Sequence, residues 1–251
     1  MPDIRWNLDK WNNRYDWRKN HGEEWSQAWG SSTAQWLSTI YPRIRCFLPA
    51  RRILEIAPGY GRWTKFLIGA ATEAYRAVDL AGPCVRYCQD AFSAPHPDFK
   101  AILNDGYSLA GAADWQYDFI FSFDSMIHAS PDVLEAYIRQ ILESLLSREG
   151  VCFIHHSNLK AVRGNPGFDH AHDPDVSAEL AADLVSAYRG KVLSQEIITW
   201  GETAGLGAIT VFAGRNCPYE PRRPLRFVNE NFMAEAALAK NVFSRYLFQE
   251  I

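Results

Sequence analysis

Two short stretches gather the side chains best suited to moving a proton. Phe123-Asp124-Ser125-Met126-Ile127-His128 and His155-His156-Ser157-Asn158 each stand at the end of an apolar run. Histidine titrates near neutral pH, so it can take a proton from a hydroxyl group, and an acid beside it steadies the imidazolium that forms. Asp124 and His128 are four residues apart, a spacing that one helical turn places on the same side. His155 and His156 are adjacent, so a strand sends them to opposite faces and only one can meet a pocket.

A third stretch reads as a cradle for a nucleotide-like ligand. Ile53-Leu-Glu-Ile-Ala-Pro-Gly-Tyr-Gly61 is an apolar run that ends in an acidic, glycine-bearing turn and continues into the helix-like Arg62–Ala71. Gly59 and Gly61 allow positive φ and a close backbone approach, and the opening helix presents unpaired N–H groups. A second apolar run, Tyr75–Leu80, carries Asp79, spaced as a carboxylate that takes the two hydroxyls of a ribose. A dinucleotide fingerprint needs a third glycine at the position held by Thr64, so the NAD pattern fails there.

The elements that must position these residues follow from the alternation of apolar runs and helical patterns. Ile53–Ala57, Ala77–Leu80, Phe99–Leu103, Phe119–Phe123 and Val151–His155 read as successive strands of a parallel sheet with helices on both faces. Ser130-Pro131-Asp132 opens a helix whose apolar positions, from Val133 to Leu145, keep helical spacing. Val192–Thr199 and Ala208–Ala213 look like a closing hairpin. In open sheets of this kind ligands bind beyond the carboxyl ends of the strands, which is where all three stretches lie.

Residues 1–50 form an aromatic-rich helical cap with six of the nine tryptophans, Trp6 to Trp36. Such a cap either packs on the sheet or closes over a ligand, and the break at Trp29-Gly30 before the helix-like Thr33–Ile40 is the part expected to approach the site. At the other end, residues 217–251 read as a stiff linker through Pro218, Pro221 and Pro224, then a docked helix over Glu230–Gln249.

The stretch Glu55-Ile-Ala57-Pro-Gly59-Tyr-Gly61 resembles motif I of the class I S-adenosylmethionine-dependent methyltransferases, with Ala57 in place of the first glycine. The resemblance continues through Asp79, Asn104-Asp105-Gly106 and Tyr117-Asp118-Phe119-Ile120-Phe121-Ser122, and covers roughly residues 51–215. It implies an α/β fold with a Rossmann-like, doubly wound, seven-stranded sheet whose last strand is antiparallel, and S-adenosyl-L-methionine as cofactor. Carried over, it makes Glu55, Ala57, Gly59 and Gly61 neighbours of the methionine moiety and places Asp79 and Leu80 at the ribose. Asn104, Asp105 and Gly106 would border the adenine, with Asp105 near its amine, and Phe123 the ring or the sulfonium.

Methyl transfer from a sulfonium is an in-line displacement, and a neutral hydroxyl acceptor must also lose a proton. His128 or His156 is then the expected general base, Asp124 its orienting partner or a direct substrate ligand, and Asn158 a hydrogen-bonding group. The absence of an Asn-Pro-Pro-Tyr-type motif after the fourth strand favours oxygen over nitrogen as acceptor, and the tryptophans suit a small polar or glycan substrate. Asp169-His170-Ala171-His172-Asp173 lies in a loop that either donates a histidine to the substrate or, with Asp124 and His156, gives an oxygen- and imidazole-rich metal site. A dedicated metal site is not expected from those spacings.

Composition narrows the field. A net charge of −3, with the twenty-six basic residues scattered, disfavours nucleic acid as partner. The start lacks a basic run followed by an apolar one and no long apolar stretch occurs, which predicts a cytoplasmic protein without membrane association. The five cysteines lack metal or disulfide spacing and are expected as buried or semi-buried thiols. The C-terminal helix would dock on the body or on a second subunit, which leaves a homodimer open.

Overall fold

The computed structural model describes residues 3–96, 98–162 and 171–243. The strands are β1 (Ala50–Ile56), β2 (Ala71–Asp79), β3 (Phe99–Leu103), β4 (Tyr117–Met126), β5 (Leu146–Ser157), β6 (Gly190–Trp200), β7 (Thr203–Gly214) and β8 (Arg226–Asn229). They form one mixed sheet in the order β3-β2-β1-β4-β5-β7-β6-β8. The first five strands pair in parallel, and β7 runs antiparallel to both β5 and β6. The seven strands implied by the sequence are all present.

The eighth strand is an addition. Residues 226–229 pair in parallel with β6 at the sheet edge, where the proline-rich run had suggested only a linker. A continuous helical stretch follows over 232–243, within the helix expected over Glu230–Gln249, and residues 244–251 lie outside the described ones. Arg43 anchors this segment by donating to Glu196 at 2.7 Å and to Glu235 at 2.9 Å, while its guanidinium lies over the Phe232 ring.

Strand alternation divides the core between the two faces. Phe119, Phe121, Phe123 and Phe153 point to one face, where Phe121 and Phe153 stack at 5.5 Å, and meet Trp36, Ile40 and Ile44 of the cap. Ile120, Cys152 and Ile154 point to the other, against the helices Pro131–Gln140 and Ala178–Ala187. The cap helix begins at Ser31, whose hydroxyl accepts from Ala34 N, and runs without a break from Ser32 to Ile44. The helix after the glycine turn is shorter than its sequence pattern suggested: Thr64–Leu67 gives way to Ile68–Ala70, and β2 starts at Ala71.

Cys84, Cys88, Cys152 and Cys217 are buried free thiols, and Cys46 is exposed. No helix among the described residues is long and apolar enough to cross a membrane.

Candidate active site

β1 ends in a turn whose every special residue has a visible reason. Ala57, Gly59 and Gly61 all have positive φ, at 57°, 58° and 73°. A Cβ on Gly59 would stand 2.6 Å from the Trp17 ring, and one on Gly61 would stand 2.3 Å from Phe92. Gly61→Ala combines a left-handed backbone with that collision, so it is expected to cost about 3 kcal/mol of stability, read from the midpoint of urea unfolding.

Glu55 lies beneath this turn rather than in it. Its Oε2 accepts from Thr64 Oγ1 and Tyr75 OH, both at 2.6 Å, which explains why a threonine stands where a dinucleotide site keeps glycine. That oxygen supports the turn from below, while the buried Oε1 has no hydrogen-bond partner among the described residues. Burial pushes its pKa up to about 7, against the two hydroxyl donors, with Asp79 adding to the rise. The folded state thus keeps this proton to a higher pH than the unfolded chain, and the stability it contributes is complete below about 4.5 and lost as pH rises through 7. Glu55→Gln keeps an uncharged acceptor, so its stability relative to wild type should rise between pH 5 and pH 8, by up to about 3 kcal/mol, in urea titrations at the two pH values.

Asp79 closes the turn from the end of β2. Its two carboxylate oxygens accept from Gly59 N at 3.0 Å and Ala81 N at 2.8 Å. Burial raises its pKa to about 6, opposed by those backbone donors. Beyond it Leu80, Asn104 and Gly106 border a small cavity of about 50 Å³ into which Ile4 of the cap projects. Asn104 donates to Tyr137 OH, and its buried Oδ1 has no hydrogen-bond partner among the described residues. Asp105 does not face this cavity: it is exposed, and its side chain accepts from the backbone N–H groups of Tyr107 and Ser108. Asn104, not Asp105, is the residue that presents an acceptor there.

The main cavity, about 690 Å³, lies between the strand ends and the cap. Ala57, Gly59, Asp79 and Leu80 form one side; Phe123, Asp124, Trp63, Trp200 and Met233 the floor and far wall; Trp6, Trp11, Trp17 and Trp25 the roof. The roof is fastened by Asn12 Oδ1 accepting from Gly82 N, by Asn7 donating to His128 O, and by Trp17 stacked at 5.4 Å on Tyr60 within the turn. The cap thus closes over the site through residues between Trp6 and Ala28, and Trp29-Gly30, expected to approach it, is not in the lining: Trp29 packs on Trp200 and Phe232 in the core.

His128 borders the cavity with its ring 5.7 Å from Trp6 and 5.4 Å from Trp11. Its Nδ1 lies 2.8 Å from Ala171 O, and because a carbonyl only accepts, Nδ1 carries the proton and Nε2 is the basic nitrogen. Asp124 is not on a helical turn with His128. It sits in an irregular stretch of β4 with φ of 63°, and its carboxylate is ion-paired with Arg62, both side chains being only 6 % exposed. Arg62 in turn lies over the rings of Trp25 and Trp63, at 5.2 and 4.6 Å. Sequence reading passed over Arg62; a lone basic residue directly after the glycine turn and before a tryptophan was the available signal.

His156 is outside the site. It is fully buried on the opposite face, with Nδ1 donating to Ser157 O and Nε2 accepting from Thr210 Oγ1, each at 2.8 Å. Burial lowers its pKa to about 4, so it stays neutral through the working range. Asn158 is also committed to structure, donating to Gly205 O and accepting from Ala178 N. Asp124 and His156 do not converge, and no group of three or more histidine, cysteine, aspartate or glutamate side chains among the described residues is arranged for a metal. His170 and Asp169 of the loop lie outside the described residues, while His172 is buried.

Residues 53–148 match the model of a methyltransferase domain family. A search of curated proteins gives no match. Among solved structures, the chain is similar to magnesium protoporphyrin IX methyltransferase from Synechocystis PCC 6803 with bound S-adenosylhomocysteine, at 14% identity and a TM-score of 0.60 over 84% of this chain and 100% of that one. It is also similar to an S-adenosylmethionine-dependent methyltransferase from Clostridium acetobutylicum, at 13% identity and a TM-score of 0.55 over 75% and 91%. A TehB-like methyltransferase from Corynebacterium glutamicum matches at 18% identity and a TM-score of 0.52 over 77% and 98%. At these identities the likeness is one of fold, and the match over 53–148 marks that segment as a methyltransferase domain. Residues 53–148 thus carry a methyltransferase domain, set in a chain whose strand order and glycine turn are those of the class I S-adenosylmethionine-dependent fold.

Proposed function

We propose that the protein transfers a methyl group from S-adenosylmethionine to a hydroxyl oxygen of a small polar or sugar acceptor, held between the strand ends and the tryptophan roof. The observation that carries this reading is the shared cavity, which has the Gly59 turn and Asp79 on one side and His128 on the other. The residues suit the cofactor: Asp79 offers a carboxylate at the ribose position, Ala57 and Gly59 of the turn line the cavity, and Asn104 Oδ1 supplies a buried acceptor for an adenine amine. When bound, the cofactor supplies an electrophilic methyl group and its own leaving group.

The chain's own residues do the rest. His128 takes the acceptor's proton on Nε2 while Ala171 O steadies the imidazolium through Nδ1. The Arg62–Asp124 pair at the floor holds acceptor hydroxyls by charge-assisted hydrogen bonds. Indole faces of the roof cover the acceptor's C–H surface and exclude water. Incubation with methyl-labelled cofactor and a panel of monosaccharides, glycosides and small alcohols tests the reading. Label in a base-stable methyl ether is the expected product; label solely on nitrogen would overturn it.

A further inference from the structure

β4 and β5 lose register at the site. Ser122 pairs with Ile154 and Met126 with His156, so three residues of β4, Phe123 to Ser125, stand opposite the single residue His155. Bulges of this kind take backbone groups out of the ladder and re-aim the side chains they carry. The displaced N–H of Asp124 is part of a buried region and needs an acceptor. His155 supplies it: its Nδ1 accepts from Asp124 N at 3.2 Å.

The imidazole is held for this task on every side. It is fully buried, tilted between Phe123 at 4.7 Å and Trp200 at 4.8 Å, two rings that line the main cavity. A Cβ on Gly207 would come within 2.7 Å of Nε2, so only glycine leaves the ring its place. Nε2 has no hydrogen-bond partner among the described residues, so Nδ1 makes the ring's one described hydrogen bond. Burial, with His172 and His156 nearby, holds the ring's pKa well below the ordinary histidine value, which keeps Nδ1 a proton acceptor at neutral pH. Asp124, at a φ of 63° that costs a non-glycine residue on the order of 1–2 kcal/mol, is the residue this support retains.

We propose that His155 is a positioning residue for methyl transfer: by accepting the Asp124 N–H that the bulge removes from the ladder, it fixes the direction in which the Asp124 carboxylate meets Arg62 and the acceptor. His155 touches neither substrate nor cofactor; it acts through Asp124. The inference rests on the acceptor lying in this cavity.

His155→Leu removes the acceptor at similar bulk, and His155→Asn restores one near the Nδ1 position. With an acceptor that the wild type methylates, His155→Leu should lower kcat about 10- to 100-fold, as expected for one buried donor left unpaired, with Kd for S-adenosylhomocysteine unchanged within about two-fold. His155→Asn should recover most of that loss. Gly207→Ala, which displaces the ring from its other side, should reproduce the kcat defect with the same cofactor affinity. Exchange protection of the Asp124 amide, measured by NMR, should fall in His155→Leu and return in His155→Asn, and this arm needs no acceptor. Unchanged amide protection and kcat in His155→Leu would overturn the proposal, as would a defect that His155→Asn fails to recover. If the wild type methylates none of the hydroxyl acceptors, the reading of the function fails, and the amide measurement alone decides whether His155 holds Asp124.

Discussion

Replacing His128 with alanine is expected to lower kcat by about 10²- to 10⁴-fold, the usual contribution of a positioned general base, while binding of S-adenosylhomocysteine stays within about two-fold. The two quantities separate because His128 stands across the cavity from the Gly59 turn and Asp79. His128→Gln keeps a donor for Ala171 O but lacks a basic nitrogen, so it should be as slow as the alanine variant. The defect should shrink as pH rises, because hydroxide and the ionised acceptor supply what the histidine no longer does. Single-turnover rates with labelled cofactor, taken beside calorimetric affinities, check both statements. Thr210→Val, which strips His156 of its hydroxyl partner, should by contrast lower stability by about 1–3 kcal/mol and leave the single-turnover rate near wild type.

Arg62→Ala is expected to have the largest effect on the fold of the site. It leaves the Asp124 carboxylate buried without its cation, and breaking such a pair from one side costs about 3–5 kcal/mol. Arg62→Lys should recover little, since an ammonium group cannot reproduce a planar cation lying against Trp25 and Trp63. Arg62→Met combined with Asp124→Asn should be more stable than Arg62→Ala alone, because the uncompensated charge is gone. Its methyl transfer should nonetheless remain low, since both charged groups at the floor are lost. Urea unfolding of the three variants measures the stability part directly.

The parts of this site that were legible in the sequence are those set by local rules. Positive φ at Gly59 and Gly61, the acid at the end of β2 and the opposed directions of His155 and His156 all follow from spacing along one segment. Which of His155 and His156 packs on the cavity-lining rings of Phe123 and Trp200 was not legible. That choice depends on how β4 and β5 register across the bulge at Phe123–Ser125, a property of two strands together. The partner of Asp124 was hidden for the same reason, being sixty-two residues away at Arg62.

Asp105 illustrates a different limit. The pattern Asn104-Asp105-Gly106 is that of a turn, and in a turn an aspartate commonly satisfies nearby backbone N–H groups, as Asp105 does with Tyr107 and Ser108. Its neighbour Asn104 is left to face the cavity. Glu55 shows how a motif position can be supportive: the alternation along β1 turns it to the Thr64 and Tyr75 side, away from the cavity. The edge strand β8 escaped notice because four residues just after Pro224 are too few to carry a periodic signal.

Equilibrium binding to the cradle formed by the Gly59 turn, Asp79 and Asn104 tests the central claim most directly. Calorimetric titration of the wild type with S-adenosylhomocysteine and, separately, with NAD should give one site per chain for the first and no measurable binding for the second. Asp79→Ala should weaken the S-adenosylhomocysteine site by at least about ten-fold, the loss of one charge-assisted contact and of the turn it closes. Preference for NAD, or S-adenosylhomocysteine affinity indifferent to Asp79, would contradict the assignment of this cavity as the cofactor cradle.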